Sequence, residues 1–374
     1  MFFLIHFICI NLILARKNIE IPYTYRYSTP VSNCAFIKEG INSNLGLNTY
    51  ISHSLLKSQE FHIIEQSNII NKRTIQLQNE YPSYQYQTDI IINNTLIQNF
   101  IVFLFDTDKY YIDELGIALS YQFEDESFSL IHTLYNRHLI DHKQFAFDNN
   151  GTFYIGGITN NLHKQYEHKG KCDIHSNDDK WTCSFKGIRL DNKEYPLNVD
   201  AIFHSEYKGM FYSTELFDIM VNDIFKEQLK NNICDIKHNM FDFRWLICDE
   251  RIRSSFDYIT VIFDDMEIRL GINELFLKDK YRNEYMSQFF SYPLEKRENS
   301  IFIGFAFNSI FNYTIYDYEE KSISFYSDYI DIHSKRVYQS TNTIKGICIV
   351  MLFLCLSNVL YLYLNKQHRV NNYL

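Results

Sequence analysis

The stretch AIFHSEYKGMFYSTELF, residues 201–217, contains three adjacent side chains capable of acid, base or nucleophilic chemistry. His204, Ser205 and Glu206 follow a short apolar run that is typical of a buried strand. A serine nucleophile needs a histidine bonded to it, but successive side chains of a strand point to opposite faces, so His204 is not placed to activate Ser205. His204 and Glu206 share a face but include no nucleophile. We therefore expect a turn with a solvated histidine and no catalytic residue here.

The composition excludes several other kinds of functional site. The chain has 374 residues, a net charge of -9 and no long basic run, so it lacks the clustered Lys and Arg that bind nucleic-acid phosphates. It has no Cys-x-x-Cys pair, and none of its 13 histidines belongs to a His-Glu-x-x-His motif. We therefore predict no metal site and no cofactor. With 46% apolar and 17% aromatic residues, the chain is expected to bury a sizeable core.

Apolar runs that are interrupted by two polar residues predict β-hairpins. Asn93-Asn94 separates the apolar runs 90–92 and 95–97, and Asp264-Asp265 separates two further runs. Asn and Asp tolerate the positive φ that tight hairpin turns require. We therefore interpret the paired carboxylates Asp264-Asp265 as turn residues, and we expect the body, residues 18–331, to be mainly β with a few short helices.

Two stretches have the helical period instead. The first lies at 128–140, and the second follows Ser213 or Thr214, either of which could cap a helix. The apolar faces consist of Phe128, Ile131, Leu134 and Tyr135 in the first stretch and Leu216, Phe217, Met220, Val221, Ile224 and Phe225 in the second. Each stretch follows an apolar strand-like run, so the chain contains a unit of strand, turn and helix twice.

Both ends of the chain are apolar. Residues 1–15 are typical of a secretory signal peptide, with Ala15 before the cut. Residues 346–364 carry no charge and are long enough to cross about 30 Å of hydrocarbon as a helix, with a buried core helix as the alternative. We expect a single-pass protein of the secretory pathway or the cell-surface membrane, with a lumenal or extracellular body and a cytosolic tail, 365–374.

Cysteine usage fits an oxidising compartment. Five cysteines lie outside the two ends. Nearest-neighbour pairing predicts one disulfide between Cys172 and Cys183 and another between Cys234 and Cys248, which leaves Cys34 single. Three N-glycosylation sequons, also consistent with secretion, begin at Asn93, Asn150 and Asn312.

Several segments, in order, resemble the pepsin-like aspartyl proteases, the peptidase A1 family. The segments are LGIALSY at 115–121, FYIGGI at 153–158, KWTCSFKGIRL at 180–190 and IFIGFAFNSIFNYTIYDYEEKSISFYS at 301–327. Cys234 and Cys248 lie where the family's second-lobe disulfide belongs. The resemblance covers most of residues 85–330, and its last segment is the most specific.

The resemblance implies a bilobal pepsin-like acid protease fold with a peptide cleft between the lobes. The N-terminal lobe, 18–165, is expected to be shortened, and the C-terminal lobe is 166–331. In the family each lobe contributes one Asp-Thr-Gly or Asp-Ser-Gly turn. The two carboxylates share one proton, because both cannot ionise at that distance, and together they activate a water against the scissile carbonyl.

Both catalytic turns depart from the family pattern. His204, Ser205 and Glu206 occupy the second-lobe motif position. The first-lobe turn is expected near residues 20–30, where the chain reads IPYTYRYSTP, and the first aspartate of the chain is Asp89. No catalytic aspartate is therefore assigned in either lobe.

These departures imply a catalytically inactive pseudo-protease, anchored in the membrane, whose interlobe cleft binds a peptide or protein ligand. Two alternatives stay open. One is an active aspartic-type endopeptidase, if the N-terminal sequence is incomplete. The other is a lumenal structural glycoprotein.

Overall fold

The computed structural model describes residues 19–26, 29–36, 41–48, 55–57, 69–76, 80–92, 95–105, 113–116, 129–157, 165–174, 180–205, 207–240, 242–279, 282–292, 300–327 and 332–334. The predicted signal peptide, transmembrane helix and cytosolic tail lie outside these ranges, as do Glu206 and Asn93. Within these ranges, no helix has the length and apolar character needed to span a bilayer.

Strands account for most of the described backbone, as the sequence predicts, and the helices are short. The strands are β1 (Ile19–Arg26), β2 (Thr29–Phe36), β3 (Ile41–Asn48), β4 (Leu55–Lys57), β5 (Ile69–Gln76), β6 (Glu80–Ile92), β7 (Thr95–Phe105), β8 (Asp113–Gly116), β9 (Gln144–Asp148), β10 (Thr152–Ile155), β11 (His168–Asp173), β12 (Thr182–Leu190), β13 (Lys193–His204), β14 (Phe211–Tyr212), β15 (Cys234–His238), β16 (Arg244–Cys248), β17 (Tyr258–Phe263), β18 (Met266–Gly271), β19 (Phe276–Lys278), β20 (Tyr285–Ser287), β21 (Phe289–Phe290), β22 (Ser300–Gly304), β23 (Tyr313–Asp317), β24 (Ser322–Tyr326) and β25 (Ile332–Ser334). The helices are α1 (Leu130–Asn136), α2 (Thr214–Ile219), α3 (Lys226–Lys230), α4 (Ile252–Ser255), α5 (Ile272–Leu275) and α6 (Phe305–Asn308), with a π-helical turn, Met220–Ile224, between α2 and α3.

The described strands form three sheets. The largest has the order β11-β24-β23-β9-β10-β1-β2-β3-β8-β4-β7-β6-β5, the second β21-β14-β22-β13-β12-β17-β18-β25, and the third β15-β16-β20-β19. The first six strands of the largest sheet are antiparallel and come from both halves of the chain, because β11, β23 and β24 pair beside β9, β10 and β1. We call these six strands the joining layer, because they connect the two halves. The lobe boundaries expected from the sequence stay a prediction.

The two predicted hairpins are present. β6 and β7 pair antiparallel with Ile92 opposite Thr95, and β17 and β18 pair with Ile262 opposite Glu267. Asp264 therefore lies in a hairpin turn, where its carboxylate contacts Lys186 at 2.8 Å. The turn assignment of this acidic pair is confirmed.

The predicted helices are also present. α1 is shorter than the predicted 128–140 stretch. It buries Ile131 and Leu134 of the predicted apolar face, whereas Tyr135 is half-buried and Phe128 lies outside the described residues. α2 begins after Ser213, whose side chain accepts a hydrogen bond from the Leu216 N–H at 3.3 Å, as a helix N-cap does. The π-helical turn then continues the apolar face through Ile224.

Both predicted disulfides form. Cys172 on β11 is bonded to Cys183 on β12, and Cys234 is bonded to Cys248 directly across the β15–β16 pair. The side chain of Cys34 lies outside the described part of the chain, so its single state stays a prediction.

Aromatic rings fill the core beneath the joining layer. Phe145 stacks on Tyr316 with ring centroids 4.6 Å apart, and Trp181 meets both rings edge-on. The buried Tyr316 hydroxyl is satisfied by the Asn308 side chain at 2.8 Å. Such pairs add to the free energy of burial, so residues from β9, β23 and α6 and the tryptophan that precedes β12 stabilise one another.

A close backbone approach occurs where β22 ends at Gly304. β22 runs parallel to β13 on one side and antiparallel to β14 on the other. A Cβ built on Gly304 would lie 1.9 Å from the Gly209 carbonyl oxygen and 2.6 Å from that of Tyr207. Only glycine leaves room for the segment that crosses this strand end.

We expect Gly304→Ala to lower the free energy of unfolding by about 2 to 3 kcal/mol, because the new methyl group meets backbone atoms that cannot rotate away. The matched control is Gly271→Ala. Both glycines precede a short helix with φ near -80° to -90°, but the nearest atom at Gly271 is a Glu274 side-chain oxygen at 3.2 Å. Urea unfolding of the two variants gives the comparison, and equal destabilisation would contradict the steric explanation.

Candidate site at two matching strand ends

The second half of the chain places His204 at the end of a strand. β13 pairs with β22 in parallel, and His204 is the partner of Gly304. The chain then turns, and the Gly304 N–H donates to the Met210 carbonyl at 3.0 Å while the Phe305 N–H donates to the Tyr207 carbonyl at 2.9 Å. These hydrogen bonds hold the turn after His204 against the end of β22.

The first half of the chain contains the same arrangement. β3 pairs with β8 in parallel, and Asn48 is the partner of Gly116. In both halves, the next strand pairs antiparallel with the strand that ends in glycine, Leu55 with Glu114 and Phe211 with Ile303. The number of residues from Asn48 to Leu55 is the same as the number from His204 to Phe211. Asn48 is therefore the positional counterpart of His204.

This counterpart corrects one expectation from the sequence. The first-lobe turn was expected near residues 20–30, but this segment contributes to β1 and β2, and the matching strand end is at Asn48. Asn48 carries an amide and is followed in the sequence by Thr49. The apolar run that ends in Asn-Thr was a usable signal, but it contains no aspartate, so a search for Asp-Thr-Gly passes over it.

The His204 side chain is buried, so the expectation of a solvated histidine is wrong. His204 is 6% exposed, and its ring stacks on Tyr207 at 4.4 Å, with Phe302 edge-on at 6.1 Å. Ser205 is also buried, while Glu206 lies outside the described residues. The turn brings His204 onto aromatic rings instead of into water, because the long-range neighbour Phe302 covers it.

These rings belong to an aromatic cluster on the same side of the sheet. It comprises Ile202, Tyr207, Tyr212, Phe243, Phe290, Tyr292 and Phe302. Tyr212 stacks on Phe290 with centroids 4.9 Å apart, and the Tyr207 hydroxyl donates to the Tyr292 hydroxyl at 3.2 Å. The aromatic cluster thus forms a continuous wall beside the strand end.

Tyr212 is held by a buried hydrogen bond. Its hydroxyl oxygen accepts from the Gly209 N–H at 2.7 Å. Burial, the main cause, raises the pKa of Tyr212 from 10.0 to about 12. Tyr212 is therefore uncharged across the physiological pH range.

A cavity of about 560 Å³ opens beside the aromatic cluster. Its lining includes Tyr212, Tyr292 and Phe302, together with residues from the start of α2 and from the π-helical turn. The volume falls within the range of about 300–1,000 Å³ that is usual for ligand sites. The described residues contain no group of three or more potential metal ligands.

The structure also places two of the predicted glycosylation residues. Asn150 is exposed in the turn between β9 and β10. Asn312 is only 7% exposed, and Thr314, the third residue of its sequon, is fully buried. A glycan needs an accessible asparagine side chain, so the folded structure disfavours Asn312.

No protein-family model matches the sequence, and no curated protein matches it. Among solved structures, the fold is similar to the aspartic proteinase from Irpex lacteus, with a TM-score of 0.66 and 13% sequence identity over 83% of this chain and 98% of that chain. This likeness shows a pepsin-like aspartic proteinase fold. At this identity it extends to the fold alone.

Replacing Tyr212 with phenylalanine removes the acceptor of the buried Gly209 N–H. We expect the free energy of unfolding at neutral pH to fall by about 1 to 3 kcal/mol. Because the folded-state pKa of Tyr212 is raised from 10.0 to about 12, its stabilising contribution is complete below pH 10 and is lost as the pH rises through 12.

The difference in unfolding free energy between wild type and Tyr212→Phe should therefore narrow above pH 10, as measured by urea unfolding at several pH values. Tyr207→Phe is the control, because it leaves the Gly209 hydrogen bond in place. A pH-independent difference would contradict this account of Tyr212.

Proposed function

We propose that this chain is a membrane-anchored pseudo-protease of the peptidase A1 type, with a cleft that binds a peptide or protein. The observation that supports this proposal most directly is the backbone pairing at the ends of β3 and β13. The residues opposite the glycines are Asn48 and His204, at the positions where a pepsin-like protease would carry its two aspartates.

The aspartic protease mechanism needs two carboxylates that share one proton. An amide at position 48 does not titrate, and an imidazole at position 204 carries a positive charge when it gains a proton. The pair thus provides no anion to take a proton from water. In the sequence, Tyr50 and Glu206 also stand where the family has glycine.

Loss of the carboxylates leaves the walls of a binding groove intact. The strand ends are kept in place by backbone pairing, which does not depend on the catalytic side chains. The aromatic cluster and the adjoining cavity offer ring faces and polar groups at the surface of the second half. These features support binding of an extended peptide.

The secretory location and the membrane anchor are part of the same proposal. Two disulfides, Cys172–Cys183 and Cys234–Cys248, support an oxidising compartment. The uncharged sequence at 346–364 supports an anchor, with the body on the lumenal or extracellular side.

The absence of the carboxylate pair predicts that the full-length protein, in detergent or nanodiscs, neither binds pepstatin nor digests casein between pH 3 and 6. Pepstatin-sensitive cleavage by the wild type would overturn the proposal in favour of an active endopeptidase. No binding in a peptide library would instead favour a structural glycoprotein.

The assignment of Asn48 and His204 to the two catalytic positions can be tested by restoring the Asp-x-Gly sequence of the family in both turns. We expect the variant Asn48→Asp, Tyr50→Gly, His204→Asp, Glu206→Gly to gain pepstatin binding, because both carboxylates are then present. Two half-restored variants, one with the substitutions at positions 48 and 50 and one with those at 204 and 206, should not gain pepstatin binding. Thermal unfolding of all three variants checks that they fold, and gain of binding by either half alone would contradict the assignment.

Accessibility predicts which sequon carries a glycan. In an Asn93→Gln background expressed through the secretory pathway, wild-type Asn150 should give one mass shift that glycosidase removes. Asn150→Gln should abolish this shift, and Asn312→Gln should leave it unchanged, because Asn312 and Thr314 are buried. A glycan found on Asn312 would contradict this prediction.

A further inference from the structure

The cavity beside the aromatic cluster is lined by charges of one sign. Its charged lining residues are Glu215, Asp218 and Asp223, and no lysine, arginine or histidine of the described chain lines it. A partly enclosed space whose charged lining residues are all carboxylates favours a cationic group over a neutral or anionic one.

The three carboxylates are not equally neutralised. Asp218 contacts Arg244 at 3.1 Å, and Asp223 contacts Lys193 at 3.3 Å. Within the described ranges, Glu215 makes no ion pair. One of the three carboxylates is therefore not compensated by a cation in the described part of the chain.

Aromatic side chains line the same cavity. Phe302 and Tyr212 are 6% and 8% exposed, whereas Tyr292 is half-buried and presents the most accessible ring. Phenylalanine and un-ionised tyrosine side chains add no negative charge to the lining. Guanidinium groups stack on such ring faces through cation–π attraction.

A carboxylate without an ion pair and aromatic side chains therefore line the same cavity, and together they match a guanidinium group.

We infer that this cavity binds the arginine side chain of a peptide that lies against the aromatic cluster. This inference rests on the proposed peptide-binding function and adds to it a preference for peptides that contain arginine. Glu215 supplies the charge, and Tyr292, the most exposed of the aromatic lining residues, supplies the stacking surface.

The test uses full-length protein and two small probes of nearly the same shape that differ in charge and in one hydrogen-bonding group. N-acetyl-arginine N-methylamide carries the guanidinium, and the citrulline equivalent replaces it with a neutral urea group of nearly the same shape. We expect the arginine probe to bind at least tenfold more tightly by calorimetry at low salt. Added salt should weaken binding of the arginine probe and leave binding of the citrulline probe unchanged.

Glu215→Gln should weaken binding of the arginine probe at least threefold without changing the melting temperature, because Glu215 is exposed and makes no ion pair in the described structure. Glu227→Gln is the matched control, since Glu227 is exposed on α3 and does not line the cavity. Equal effects of the two variants would overturn the assignment of Glu215.

A peptide library screened in parallel separates failure of this inference from failure of the proposed function. Library peptides that bind without enrichment of arginine, together with equal binding of the two probes, would overturn the arginine site and leave the pseudo-protease proposal standing. Selective binding of the arginine probe without any library binder would support the cavity and contradict the peptide-binding cleft. Absence of both kinds of binding would contradict both.

Discussion

The close backbone contact at Gly304 determines the geometry of the second half of the site. The turn after His204 crosses the end of β22 with the Gly209 carbonyl so near that a side chain on Gly304 has no space. That crossing directs His204 onto Tyr207 and brings Tyr212 beside Gly209, where its hydroxyl accepts a hydrogen bond. The aromatic cluster and the cavity beside it follow from this one approach of two chain segments.

Backbone geometry and catalytic chemistry place different demands on the same positions. Strand pairing at Asn48 and His204 uses N–H and C=O groups, which almost every residue provides. Proton sharing between two acids accepts only carboxylates. A pepsin-like fold can therefore keep its strand ends after the aspartates are replaced, which is why fold similarity at 13% identity leaves activity open.

Local features of the fold were predictable from the sequence. The turn at Asp264, the helix start at Ser213 and both disulfides depend on residues close together in the chain, and each was predicted correctly. The position of the first strand end was not, because Asn48 is not an aspartate, and its position is established by parallel pairing with Gly116, far along the chain. The burial of His204 was missed for the same reason, since Phe302 covers it from a distant strand.

The joining layer has a consequence for the order of events during synthesis. β1, which begins at the buried Ile19, pairs with β10, and β11 pairs with β24 near the far end of the described chain. Each of these early strands emerges from the ribosome long before its partner. Non-local pairing of this kind slows folding and prolongs exposure of unpaired edges. In the nascent protein, the edges of these strands therefore stay unpaired until the partner strands have been translated.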